Sequence, residues 1–207
     1  MSSRHKTAVA LCFLVILLIA CAESPVATRP LQPSAGVPGE TTVIRYTPAV
    51  PSEQRQGSCW TNSLSVPRED AWRCMVNDQI FDPCYVADDG QTVVCGSVPG
   101  REGAGFGLQL TEPLPEPDVP TDAPASGYML ELADRTQCVF ASGATLVFDG
   151  KRLNYQCLGP SQDEMVVVIG DLQAGEVWKA EKAILDHNEE GFFIRESEWV
   201  EIRTVWQ

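Results

Sequence analysis

Thr145-Leu146-Val147-Phe148-Asp149-Gly150-Lys151-Arg152-Leu153-Asn154-Tyr155 reads as two short strands joined by a two-residue turn. Asp-Gly is the turn chemistry that a tight hairpin demands, because both central residues must take positive φ. Downstream, Met165-Val166-Val167-Val168-Ile169 is a continuous apolar run suited to a buried strand, stopped by Gly170-Asp171. Val177–Leu185 and Phe192–Trp206 flank the polar stretch Asp186–Gly191. Ala, Glu and Lys in the first of these segments would suit a helix. Its opening Val177-Trp178 and the long β-like partner that follows favour a strand. Upstream, Tyr128–Leu132 alternates, and Cys138-Val139-Phe140 follows a polar turn. Residues 128–207 are thus expected to be consecutive antiparallel strands.

Residues 57–98 hold four cysteines. Cys84-Tyr85-Val86 and Thr92-Val93-Val94-Cys95 flank Asp88-Asp89-Gly90, a second hairpin signal, and Asp82-Pro83 marks a turn. Ser63–Met75 carries helix-start chemistry: Ser65 as cap, Pro67 in the first turn, Glu69 and Asp70 at the positive helix end. Residues 99–127 are rich in Gly and Pro. Phe106–Leu110 is a short strand candidate there, and Pro113–Pro124 reads as a surface loop or as a separator of two domains. The fold class expected is mainly β: a disulfide-pinned antiparallel sheet, as a small barrel or sandwich, with one short helix. It follows a disordered stalk, and residues 57–207 form a single globular domain long enough to bury a core.

The N-terminus reads as an address. Arg4 and Lys6 precede Thr7–Ala20, an uncharged apolar run of about 14 residues. A membrane-spanning helix needs about 20, whereas a signal-peptide core is of this shorter length. Residues 1–20 are therefore expected to be a signal peptide. The run ends Leu18-Ile19-Ala20-Cys21, which resembles a bacterial lipobox. That resemblance implies cleavage before Cys21 and lipidation of Cys21 by diacylglyceryl and palmitate-type chains. The result is a lipoprotein on the extracytoplasmic face of a cell membrane. Ala20-Cys21-Ala22 also satisfies the small-x-small rule for cleavage after Ala22, which would release the protein; an uncleaved anchor is the third reading. Residues 21–56 hold Pro25, Pro30, Pro33, Pro38, Pro48 and Pro51 and read as the flexible stalk; Val43-Ile44-Arg45-Tyr46 is its one β-like patch, suited to docking on the body.

The chain has eight cysteines and two histidines. Cys12 leaves with the signal peptide and Cys21 carries lipid. Cys59, Cys74, Cys84, Cys95, Cys138 and Cys157 remain, an even set that reads as disulfides in an exported protein. The spacing does not decide the pairing; sequence neighbours (Cys59–Cys74, Cys84–Cys95, Cys138–Cys157) are the favoured arrangement. No C-x-x-C pair is present, which argues against zinc and against thioredoxin-like redox work.

A formal net charge of −13 argues against nucleic acid, whose phosphates require clustered Lys and Arg. With His5 inside the signal region, His187 is the remaining imidazole, and a polar turn tip is a poor place for a catalytic one. Asp186, Asn188, Glu190 and Gly191 fall at calcium-loop positions, but Ser197 stands where the bidentate acid belongs, and the flanks read as strands. Asp186, Asn188 and Glu190 are thus a weak calcium candidate, and no other metal or cofactor is expected. Paired acids such as Glu69-Asp70 and Glu189-Glu190 are explained by charge at a helix end and by a solvated turn. Trp60, Trp72, Trp178, Trp199 and Trp206 are each expected in or near the core; an exposed one would be able to stack on a sugar ring.

Cys59-Trp60-Thr61, Pro67-Arg68, Asp70-Ala71-Trp72-Arg73-Cys74-Met75 and Asp82-Pro83-Cys84, together with Leu130–Asp134, Phe140–Thr145, Gly150–Tyr155 and Ile202–Gln207, resemble an uncharacterised family of exported bacterial proteins. The resemblance spans most of residues 57–207 and implies one unit there; it carries no activity, ligand or catalytic residue. The functional expectation is a lipid-anchored, non-enzymatic domain that binds an envelope protein or glycan. The alternative is a carboxylate-based envelope hydrolase or glycan-binding module.

Overall fold

Asp149 and Gly150 both adopt positive φ and turn β9 (Val147–Phe148) into β10 (Lys151–Leu158), as an Asp-Gly hairpin requires. The computed structural model describes residues 39–101, 103–158 and 164–207, and these belong to one compact unit. The signal peptide, the lipobox with Cys21 and residues 22–38 of the expected stalk lie outside the described residues.

Among the described residues there is no helix; every regular element is a strand. β1 (Thr42–Ile44) lies in the segment read as stalk and pairs in parallel with the C-terminal strand, as the Val43–Tyr46 patch suggested. β2 (Gln54–Asn62) also begins inside that segment, so the expected boundary at residue 57 falls within a strand. β2, β3 (Ala71–Val76), β4 (Gln79–Val86), β5 (Val93–Cys95) and β6 (Phe106–Leu110) close into a five-stranded barrel, with β2 and β6 meeting in parallel.

The helix expected at Ser63–Met75 is absent: residues 63–70 form a loop and the rest is β3. The local cap signals are overridden from outside the segment. The Asp82 carboxylate accepts hydrogen bonds from Ser63 Oγ, Ser65 Oγ and the Leu64 amide, while Cys74 pairs across the sheet with Cys59. Asp82-Pro83 is likewise no turn; it lies within β4, at a register shift where a proline costs no ladder bond. The turn is Asn77-Asp78, both at positive φ, between β3 and β4.

The second assembly contains β7 (Met129–Leu132), β8 (Gln137–Phe140), β10, β11 (Met165–Gln173), β12 (Trp178–Asn188) and β13 (Gly191–Trp206). Each pairs antiparallel with the next, and β13 returns to β7, so the ring of pairings closes. β11 does not stop at Gly170-Asp171; it bulges there and continues to Gln173. Its apolar run is continuous because both faces are covered. Val168 packs inside with Leu130, Leu132, Tyr155 and Ile202, whereas Val167 and Ile169 pack with Leu153 and Ala183 beneath Ala141 and Phe148.

The disulfides join Cys59–Cys74, Cys84–Cys95 and Cys138–Cys157, the sequence-neighbour arrangement. Each links residues directly opposite in an antiparallel ladder. In the five-stranded barrel, four of the nine buried core residues are half-cystines, beside Trp72, Val76, Val93, Phe106 and Leu108. A barrel this small buries little hydrocarbon, and sulfur fills the centre that longer strands would fill with leucine.

The two barrels meet around Tyr46, Tyr85 and Tyr128, with Val66, Ala71 and Phe140. Arg68 fastens this junction, donating to the Tyr46 and Gln207 carbonyls and pairing with Asp70. Burial alone would raise the Asp70 carboxyl. The hydrogen bond and charge of Arg68, with the charge of Arg45, outweigh that and hold it below the ordinary carboxylate value. Asp70 thus belongs to a junction ion pair, and Glu69 beside it is exposed; neither stands at a helix end.

Candidate ligand groove on the second barrel

Register places Leu153, Ile169, Glu181 and Trp199 side by side across β10, β11, β12 and β13. Directly opposed residues of an antiparallel ladder point the same way, so these four share one face of the sheet. The segment that covers Leu153 and Ile169 ends at the Asp149-Gly150 hairpin and leaves Trp199 half exposed, at 50%. The uncovered space is a groove of about 520 Å³, lined by Lys151, Arg152 and Trp199.

The bulge in β11 shapes one end of it. Gly170 takes φ of +67°, a conformation that side-chain-bearing residues rarely adopt, and the chain there turns Asp171 and Gln173 to the groove. Asn154 Nδ2 holds the bulge by donating to the Gly170 carbonyl at 2.8 Å. The Lys151 stem lies over Gly170, and Lys151 Nζ reaches the Glu181 carboxylate at 2.6 Å. Glu181 is only 8% exposed and also lies 3.4 Å from Ser197 Oγ. Arg152 is consumed locally: Nη1 donates to Asn154 Oδ1, and Nη2 to the Ala141 and Gly143 carbonyls. Asp171 and Gln173 are exposed, and their side chains have no hydrogen-bond partner among the described residues.

The remaining sequence candidates fall elsewhere. Trp72 is 2% exposed and belongs to the first core. Trp178 and Trp206 are half-buried. Trp60, 45% exposed on β2, departs from the core expectation, as does Trp199; Arg73 stands over the Trp60 ring. The calcium candidate falls at a hairpin between strands. Asp186, Asn188 and Glu190 lie at the tip of the β12–β13 hairpin, between strands and not helices, and Asn188↔Gly191 closes its turn. Asp186 Oδ1 accepts the His187 amide and Asn188 Oδ1 accepts the Glu190 amide, so local turns take up these oxygens. His187 packs edge-on to Phe192 at the same tip. Among the described residues, the one group of three or more potential ligands with atoms within 4.8 Å is Cys74, Cys84 and Cys95, all held in disulfides.

A second hollow, of about 380 Å³, lies by Asp134, Leu158, Val166 and Lys182. Its ammonium group is shared between Asp134 and Glu198, at 2.9 and 3.0 Å, and its apolar part is aliphatic. Both hollows hold an ion pair, but the Trp199 groove has what this hollow lacks, an exposed aromatic face.

No family model matches the chain, and neither curated proteins nor solved structures give a match.

Proposed function

We propose that this chain is a lipid-anchored extracytoplasmic binding module. It is held at a cell membrane through acylated Cys21 and presents the Trp199 groove to a ligand without catalysing its conversion. The observation that carries the binding reading is the groove itself, a preformed hollow on a closed sheet. Its volume falls in the range of small-molecule sites, roughly 300–1,000 Å³. Three disulfides suit an oxidising compartment. The buried carboxylates named above, Asp82 and Glu181, lie in different barrels, and each is engaged by neighbouring side chains. Two acids do line the groove, Asp171 and Glu181, but Glu181 is held in its ion pair with Lys151 and so is not one of the two free facing acids that carboxylate-pair hydrolysis needs.

The anchor follows from the Leu18–Cys21 stretch. Each buried CH₂ of an acyl chain contributes about 0.8 kcal/mol, so two or three chains hold a protein stably on a bilayer. Metabolic labelling with a tagged fatty acid tests it. Label is expected on the wild-type chain in the envelope fraction and absent from Cys21→Ala. Label persisting in the variant contradicts the anchor.

A further inference from the structure

The groove's chemistry names a ligand class, and here the inference rests on the binding reading above. We infer that the Trp199 groove binds a neutral saccharide, with one pyranose face against the Trp199 indole and its hydroxyls toward Asp171 and Gln173.

Three observations carry this. Trp199 is half exposed in the middle of a paired strand, opposite Glu181 and far from either end of β13. A large apolar ring half exposed there leaves a hydrophobic face in water, and that face is relieved by a flat partner such as the C–H face of a sugar ring. The polar groups at the bulge have donor and acceptor capacity to spare: the Asp171 carboxylate accepts, and the Gln173 amide both donates and accepts. Hydroxyls match both, since each can donate and accept. Finally, the groove is poorly suited to anions. Lys151 is already bound to Glu181, and Arg152 is already bound to two carbonyls and an amide oxygen. With Asp171 unneutralised and a chain charge of −13, a phosphate or carboxylate ligand would be repelled.

The ion pair also serves as a wall. Lys151 spans from the hairpin over Gly170 to Glu181, the cross-strand neighbour of Trp199, which fixes that side of the groove beside the indole without offering a free charge. A site built before the ligand arrives saves the ordering cost of binding.

The test uses the mature domain with its disulfides intact and three neutral probes: maltotriose, cellotriose and N-acetylchitotriose. Tryptophan emission is followed during titration. At least one probe is expected to give a saturable change at millimolar concentration or below, with an affinity insensitive to added salt, since no net charge is exchanged. Trp199→Ala should weaken it by about tenfold or more, the factor that about 1.4 kcal/mol corresponds to. Asp171→Asn should weaken it several-fold, and Trp199→Phe should retain part of the affinity, which separates loss of stacking from loss of fold. Trp60→Ala, in the other barrel, should bind as wild type. The inference is overturned if none of the three probes binds, if Trp199→Ala binds like wild type, or if a heparin oligosaccharide binds as tightly as the best neutral probe. Failure of all three probes alongside acyl label on Cys21 removes the ligand class and leaves the anchored module standing. Label retained by Cys21→Ala removes the anchor and leaves the saccharide result untouched.

Discussion

Two buried tyrosines show how a single polar atom is handled in this fold. Tyr155 Oη donates to the Gly127 carbonyl at 3.0 Å and receives the Gly127 amide, so its hydroxyl is satisfied. Tyr85 Oη is buried with no partner among the described residues, although Arg68 stands 5.3 Å from the ring centre. A lost net hydrogen bond costs about 1 kcal/mol, whereas removing an unpaired buried hydroxyl removes a desolvation penalty. Tyr155→Phe is therefore expected to destabilise by about 1 kcal/mol, and Tyr85→Phe to be neutral or to stabilise by up to about 1 kcal/mol. Urea unfolding of the two variants checks this, and equal losses would refute it. Neither hydroxyl's fate is written in its local sequence. Cys84-Tyr85-Val86 and Leu153-Asn154-Tyr155 both read as strand, and what each ring meets is set by the other elements that pack on it.

At the scale of elements, the strands that were legible are those whose signals are local. Asp149-Gly150 supplies its own turn, Val166–Ile169 their burial (Met165 at the head of the run is exposed), and β12 and β13 their length. The stretch Ser63–Met75 is no helix although its cap residue is real, because Asp82 engages Ser63, Leu64 and Ser65 while Asn62 holds the Arg68 and Ala71 carbonyls. The groove was not legible for a related reason. It is one row across four strands, and its opening depends on where the covering segment ends. The half-cystines were legible as a set, and register shows why neighbours pair: each couple sits directly opposite across one ladder. Closing loops of this length contributes about 3 kcal/mol per bridge in the loop-entropy model. Replacing Cys59 and Cys74 together by Ser should lower stability by about that amount, measured by urea unfolding. Replacing both bridges of the first barrel should unfold it, because four of its nine core residues then lose their packing partners. A native-like fold of that quadruple variant would contradict the role given to sulfur.

For the whole molecule, the joint between barrels is the tyrosine cluster. Burial, before any other influence, raises the hydroxyls of Tyr46, Tyr85 and Tyr128 above the ordinary value of 10.0, and Tyr128 is pushed up to about 12. The folded state thus favours the neutral phenols. Their contribution to stability is complete below about pH 10 and declines as the pH rises from there through the folded-state values. Unfolding midpoints should fall above that pH together with the rise of tyrosinate absorbance, and midpoints flat through that range would contradict the packing described. The joint leaves the Trp199 face of the second barrel uncovered, and on that face rests the claim that this is a sugar-binding module displayed at a membrane. Its most direct measurement is the set of indole Nε1–H resonances during titration with the best neutral trisaccharide. The Trp199 resonance is predicted to shift and saturate while Trp60, Trp72 and Trp206 stay in place. A shift confined to Trp60, or none at Trp199, would contradict the account.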